Sequence, residues 1–332
     1  MLKGRPAKTA GRPANFNWTS CGCATGARQT EPLASDSTLM LTPREKLGFV
    51  LGFLGVAIFA GSLPATRLAV LHLDAWFVTS ARAAIAGICA LILLIVMRRP
   101  LPPKDAYPRI LLIILGVVFG FPFFSALAMQ SVPVAHGGVV LGVLPLATAA
   151  TAVVMTGERP GLGFWIAALA GALVVIAFAL RDGSGGSLSE GDAQLVLAII
   201  SGAIAYTASG ALARTMPGWE VISWTLVFSL PVSLTASIML FPENPAAVPA
   251  DAWLGVLYSA VMAQWLGFFF WNAGLAMGGI SRVSQVQLVQ PFVTVGLAAI
   301  VNRETIDLQT ILFALAVVVI VGIGTRMRVA RQ

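Results

Sequence analysis

Few side chains in this sequence can carry charge in apolar surroundings, and those few narrow the available chemistry. Arg82 and His136 are the ionisable groups within or close to apolar runs. All fourteen Asp and Glu residues fall in the N-terminal stretch, in polar breaks or at the ends of runs. Charge in an apolar medium is expensive and is kept where it does something. For Arg82 that is a cap on carbonyls or a bond between helices, contact with a substrate carboxylate, or a stem reaching for water. His136 is either an interfacial hydrogen-bonder or a proton-coupling group, since imidazole changes charge near neutrality. With no acid expected in the core, a proton exchanger or sodium site built on a buried carboxylate is disfavoured, and no buried anion awaits a cationic substrate.

A second set is uncharged. Gln264, Phe268 and Trp271 form one helical stripe, with Trp265 and Asn272 beside it; Ser284, Gln287, Pro291 and Thr294 follow at spacings of three, four and three and share another face. Amides and hydroxyls are unsatisfied in lipid, so these faces point at protein or at a wet cavity. Amides with indole rings suit an uncharged or zwitterionic substrate; the alternative is polar glue between helices. Trp253 and Trp219 read as interface anchors. No Ser/His/Asp set, HExxH or P-loop is present, so no enzyme, metal site or cofactor is expected. A nucleotide-binding segment is missing too, which removes ATP-driven transport.

The elements that must position these residues follow from composition. Of 332 residues, 58% are hydrophobic and 11% charged, and mean hydropathy is +0.87. A soluble fold cannot hide that much apolar surface, so the chain is a polytopic membrane protein, all-α, and its partner is the lipid bilayer. The net charge of +7 records loop orientation and not nucleic acid. Residues 1–46 form a basic tail without periodicity, expected to be disordered; Met40 is a candidate start. Apolar spans of the length needed to cross hydrocarbon are expected at 47–71, 75–97, 109–129, 135–155, 161–180, 193–213, 222–241, 253–277, 281–301 and 308–327, ten in all. With the N-terminus inside, inner segments hold twelve Lys and Arg and outer loops only Arg67, Arg181 and Arg303. Both termini are therefore expected in the cytoplasm, in the inner (cytoplasmic) membrane. Cys21, Cys23 and Cys89 form no framework.

The sequence repeats itself. A shift of 146 residues carries Pro145 onto Pro291, Thr148 onto Thr294 and Glu158 onto Glu304; a shift of 147 carries Phe59 onto Tyr206 and Arg67 onto Arg214. Five spans per half, an odd number, make the halves inverted: 47–181 and 193–332, joined by a Gly/Ser-rich linker at 182–192. Inverted halves suit alternating access, with substrate near the midplane among the third, fourth, eighth and ninth spans, helped by the first and sixth, in an expected cavity of Gln264, Phe268, Trp271, Asn272, Ser284, Gln287, Pro291, Thr294, Phe59, Tyr206, Pro145 and Thr148. Pro145 and Pro291 break the backbone ladder mid-span, where freed carbonyls either bind substrate or permit a packing kink. One chain holding both halves is expected to act as a monomer. A channel is the competing class, separable by the lack of saturation and counterflow.

The duplicated stretches Pro145 to Arg159 and Pro291 to Glu304, with Phe59-Ala60-Gly61-Ser62 and Arg82, resemble the drug/metabolite transporter superfamily, EamA type. Phe59 stands where that family shows Trp, and Asn302-Arg303-Glu304 where it shows Gly-Glu. The resemblance covers 47–327, and the chain is similar to the ten-helix YddG-type exporters of aromatic and other neutral amino acids. It implies a secondary exporter of a small metabolite, with Glu158 and Glu304 as motif residues; other metabolites or drugs are the alternative cargo.

Overall fold

The computed structural model describes residues 43–156, 159–160, 162–182, 189–278, 284–326 and 329–330. The chain divides into two units, Met1–Met40 and Leu41–Gln332, and every described residue belongs to the second. Its helices are α1 (Pro43–Ala60), α2 (Ser62–Val70), α3 (Ala75–Val96), α4 (Tyr107–Ile113), α5 (Phe121–Ser131), α6 (Val134–Leu141), α7 (Leu144–Thr156), α8 (Leu162–Asp182), α9 (Glu190–Leu212), α10 (Gly218–Met239), α11 (Ala250–Leu257), α12 (Gly267–Gly278), α13 (Gln290–Val301) and α14 (Leu308–Arg326). Among the described residues seven helical runs are long and apolar enough to cross a membrane; shorter apolar helices at Trp165–Leu180, Val286–Val301 and Leu308–Ile320 occupy the fifth, ninth and tenth expected spans. Large apolar side chains such as Val96, Leu111, Leu173, Ile238 and Leu312 lie on the outside, which suits lipid and not water.

Several spans are interrupted where the sequence expects continuous helices. The first breaks at Gly61 between α1 and α2, and the fourth between α6 and α7. The third and eighth each contain a π-helical segment, at Ile114–Gly120 and Tyr258–Leu266. These sit at corresponding places in the two sequence copies. The ninth opens with a 3-10 turn, Ser284–Val289, before α13. The 3.6-residue stripe expected from Ser284 onward therefore does not run through one regular helix. Helix ends follow ordinary rules: Asp74 accepts from the Trp76 and Phe77 amides, and Ser189 with Asp192 builds a capping box on α9. Arg303, at the position where the resemblance expects glycine, has φ 56°, a left-handed turn that glycine takes without steric cost.

Packing pairs the two sequence copies. α3 lies on α10 and α8 on α14; α1 contacts α12 and α13, as α9 contacts α5 and α7. Exchanging one copy for the other maps this set of contacts onto itself. Small residues allow the closest approach: a Cβ on Gly274 would sit 2.6 Å from the Gly52 amide nitrogen, so α1 and α12 touch backbone to backbone.

Candidate functional site

Prolines make the site. Pro145 and Pro291 have no N–H to close on the carbonyls of Leu141 and Gln287, four residues earlier. All four of these residues line one cavity of about 20 Å³, together with Leu63, Gln290 and Thr294. Among the described residues that line it, no side chain is ionisable. The walls approach because Gly138 and Gly142 lack side chains: a Cβ on Gly138 would stand 2.8 Å from Thr294 Cγ2, and one on Gly142 3.2 Å from Pro291 Cγ. The hollow is thus lined by side-chain amides and a hydroxyl between α6–α7 and α13. That chemistry can hold a neutral or zwitterionic group by hydrogen bonds.

Two other prolines also free carbonyls, and there protein donors fill the gap. Pro64 cannot serve the Ala60 carbonyl, which instead accepts from Thr294 Oγ1 at 3.2 Å. In the first π segment the Phe121 amide reaches back to Gly116 and Pro122 has no N–H, so Val117 is left over. Gln264 Nε2, from the second π segment, donates to that carbonyl at 3.1 Å, and its Oε1 accepts from Arg82 Nη2 at 2.8 Å. Arg82 and Gln264 are 4% and 2% exposed; Arg82 Nε has no hydrogen-bond partner among the described residues. Against this chain packs a ring cluster, with Phe59 5.0 Å from Phe268 and 6.4 Å from Trp271, and Tyr206 6.2 Å from Phe268.

The expected site residues therefore fall in two places. Pro145, Gln287, Pro291 and Thr294 line the cavity. Gln264, Phe268, Trp271, Phe59, Tyr206 and Arg82 make the closed block. Asn272 donates to the Gly218 carbonyl at 2.9 Å, and Thr148 Oγ1 to Leu144 of its own helix at 2.9 Å. The Ser284 side chain and Glu158 lie outside the described residues. Of the two anchor tryptophans, Trp219 carries the Arg99 guanidinium 5.3 Å over its ring and Trp253 packs edge-on to Phe77 at 6.0 Å.

The expectation of no acid in the core is corrected. Asp192 and Glu220 are buried, at 4% and 7% exposure. Asp192 lies just before the expected sixth span, but α9 begins earlier, at Glu190, and packs its first turn on α6. There Asp192 Oδ1 is 2.6 Å from His136 Nε2. Glu220 pairs with Arg99 at 3.3 Å. Glu304, the second motif glutamate, accepts from the Val134 and Ala135 amides at 2.7 and 2.9 Å, a carboxylate on the positive end of α6. Arg67 donates to the carbonyls of Met129 and Val132 at the end of α5. The capping-box pattern Ser189 to Asp192 is the available sequence signal for α9; nothing in the sequence pairs Asp192 with His136.

Known proteins with the same pattern name the class. The sequence profile of the EamA-like transporter family matches residues 46–180 and again 189–325. The chain is 43% identical over 279 residues to "Uncharacterized transporter YdeK" of Bacillus subtilis (strain 168), covering 84% of this chain and 97% of that one. It is 26% identical over 301 residues to "Uncharacterized transporter YyaM" of the same organism, covering 86% and 95%. A crystal structure at 20% identity shares the fold with a TM-score of 0.59, over 84% of this chain and 98% of the other. Matched twice along its length, the chain belongs to the EamA-like transporter family of the drug/metabolite transporter superfamily and is a polytopic membrane transporter.

Proposed function

We propose that this transporter exports small neutral or zwitterionic metabolites, amino acids foremost, by alternating access. Ten spans in two inverted halves close around the Pro145/Pro291 cavity, and both termini lie in the cytoplasm. The observation that carries the reading is that symmetry-related prolines face one hollow with Gln287, Gln290 and Thr294 and no charge. In this structure the hollow is about 20 Å³, room for about one water, so the reading requires it to widen around an amino acid during the transport cycle. Inversion is supported by Glu304 resting on the start of α6. One chain supplies both halves, and a monomer suffices.

Flux into proteoliposomes of amino acids, sugars and cationic drugs, with and without a pH gradient, tests this. A carrier for amino acids shows saturation and counterflow for that class alone. Equal, unsaturable flux for all three defeats the proposal in favour of a channel. Saturable flux of drugs or sugars alone moves the cargo to the superfamily's other substrates.

A further inference from the structure

We infer that His136 and Asp192 form a proton-binding site coupling the carrier's conformation to pH on the face where α6 and α9 begin, an inference that rests on the transport reading above. The two side chains come from different copies of the repeat and meet at 2.6 Å, 3% and 6% exposed. Ser189 holds the other carboxylate oxygen through its hydroxyl at 2.6 Å and its amide at 2.9 Å. The Phe178 ring lies flat on the imidazole, centroids 4.9 Å apart. Carboxylate and ring are thus fixed so that Oδ1 faces Nε2 directly. Charged groups on the elements packed around α6 are Arg67 on α2, Glu190 on α9, Glu304 and Asp307 ahead of α14, and Arg181 and Asp182 on α8, whose side chains lie outside the described residues. Arg67 serves the α5 carbonyls, Glu190 accepts from Gln194, Glu304 takes the α6 amides, and Asp307 accepts from Thr310.

The proton balance sets the sign. With one proton taken from water onto an imidazole nitrogen, the couple is imidazolium and carboxylate, neutral in sum. When that proton returns to water, a net negative charge is left in apolar surroundings, which costs free energy unless water enters. Deprotonation therefore favours separation of α6 from α9 and hydration of this face; protonation favours the closed arrangement of this structure. The pair joins the two halves beside the Glu304 contact, so the proton acts on the closure itself.

The test uses the full chain in nanodiscs and needs no substrate. Spin labels at Leu71→Cys and Leu308→Cys, both exposed, with Cys21, Cys23 and Cys89 replaced, report the separation of the halves at this face. Between about pH 5.5 and about pH 8.5 the longer-distance population is expected to grow at least about threefold, and the growth is lost in His136→Gln and Asp192→Asn. The chain has two histidines, so in His72→Gln the remaining 15N-imidazole signal is that of His136, read without touching the pair. An unchanged distance distribution, a change that survives His136→Gln, or an imidazole whose charge stays constant over that range overturns the inference. Such a result leaves the transport reading standing, and failure of the substrate panel leaves this measurement interpretable.

Discussion

The proline cavity and the Arg82–Gln264 block arise from the same device and end oppositely. In both, proline or a π turn strips a helix of a main-chain donor. At Val117 and Ala60 a side chain from elsewhere supplies the missing hydrogen bond, and the result is a sealed joint. At Leu141 and Gln287 the affected residues line a hollow. A freed carbonyl is thus neutral in meaning: whether it becomes glue or binding surface depends on which side chain reaches it. Polar residues on one span divide accordingly, Thr294 touching both the Ala60 carbonyl and the hollow.

The sharpest way to break this comparison is Gln264→Ala. It leaves the Val117 carbonyl and the Arg82 guanidinium unpartnered in a buried place, and a loss of about 2–4 kcal/mol is expected, read as a fall in thermal unfolding temperature in detergent. Gln287→Ala should do the reverse: unfolding unchanged within about 0.5 kcal/mol, transport of the amino acid found by the flux panel down roughly tenfold or more, equivalent to one lost hydrogen bond of about 1.5 kcal/mol. Equal stability losses in the two variants would erase the distinction between joint and cavity. Thr294→Val keeps shape and withdraws the donor from Ala60, so a cost of about 1–2 kcal/mol is expected in the same unfolding assay. Phe59→Leu keeps bulk but removes both edge contacts, and about 1 kcal/mol should go with them, without change in substrate affinity measured by equilibrium binding.

Apolar length and the repeat carry most of the architecture in the sequence, because span length and proline spacing are local properties. Breaks within spans are less visible. Pro64 and Pro122 are plain to see, yet the chain meets one with a break and the other with a π turn, and the donors that reach the freed carbonyls, Thr294 and Gln264, lie far away in sequence. Within the site, the amide and proline residues are legible as a set, but not their division into joint and hollow, which depends on cross-helix packing. The buried acid at Asp192 is hidden for a simpler reason. It precedes the apolar run of a span whose first turn begins at Glu190, and its partner His136 lies 56 residues away. Side chains at a helix start look solvated in sequence even when a neighbouring helix covers them.

The Glu304 carboxylate on the first amides of α6 has a consequence for assembly. A fragment carrying only the first sequence copy would emerge with the opening turn of its fourth span uncapped, its donors turned towards hydrocarbon or headgroups. Translation past Glu304 supplies the missing acceptor from a segment made 170 residues later. Biogenesis of the early spans is then completed by the late ones.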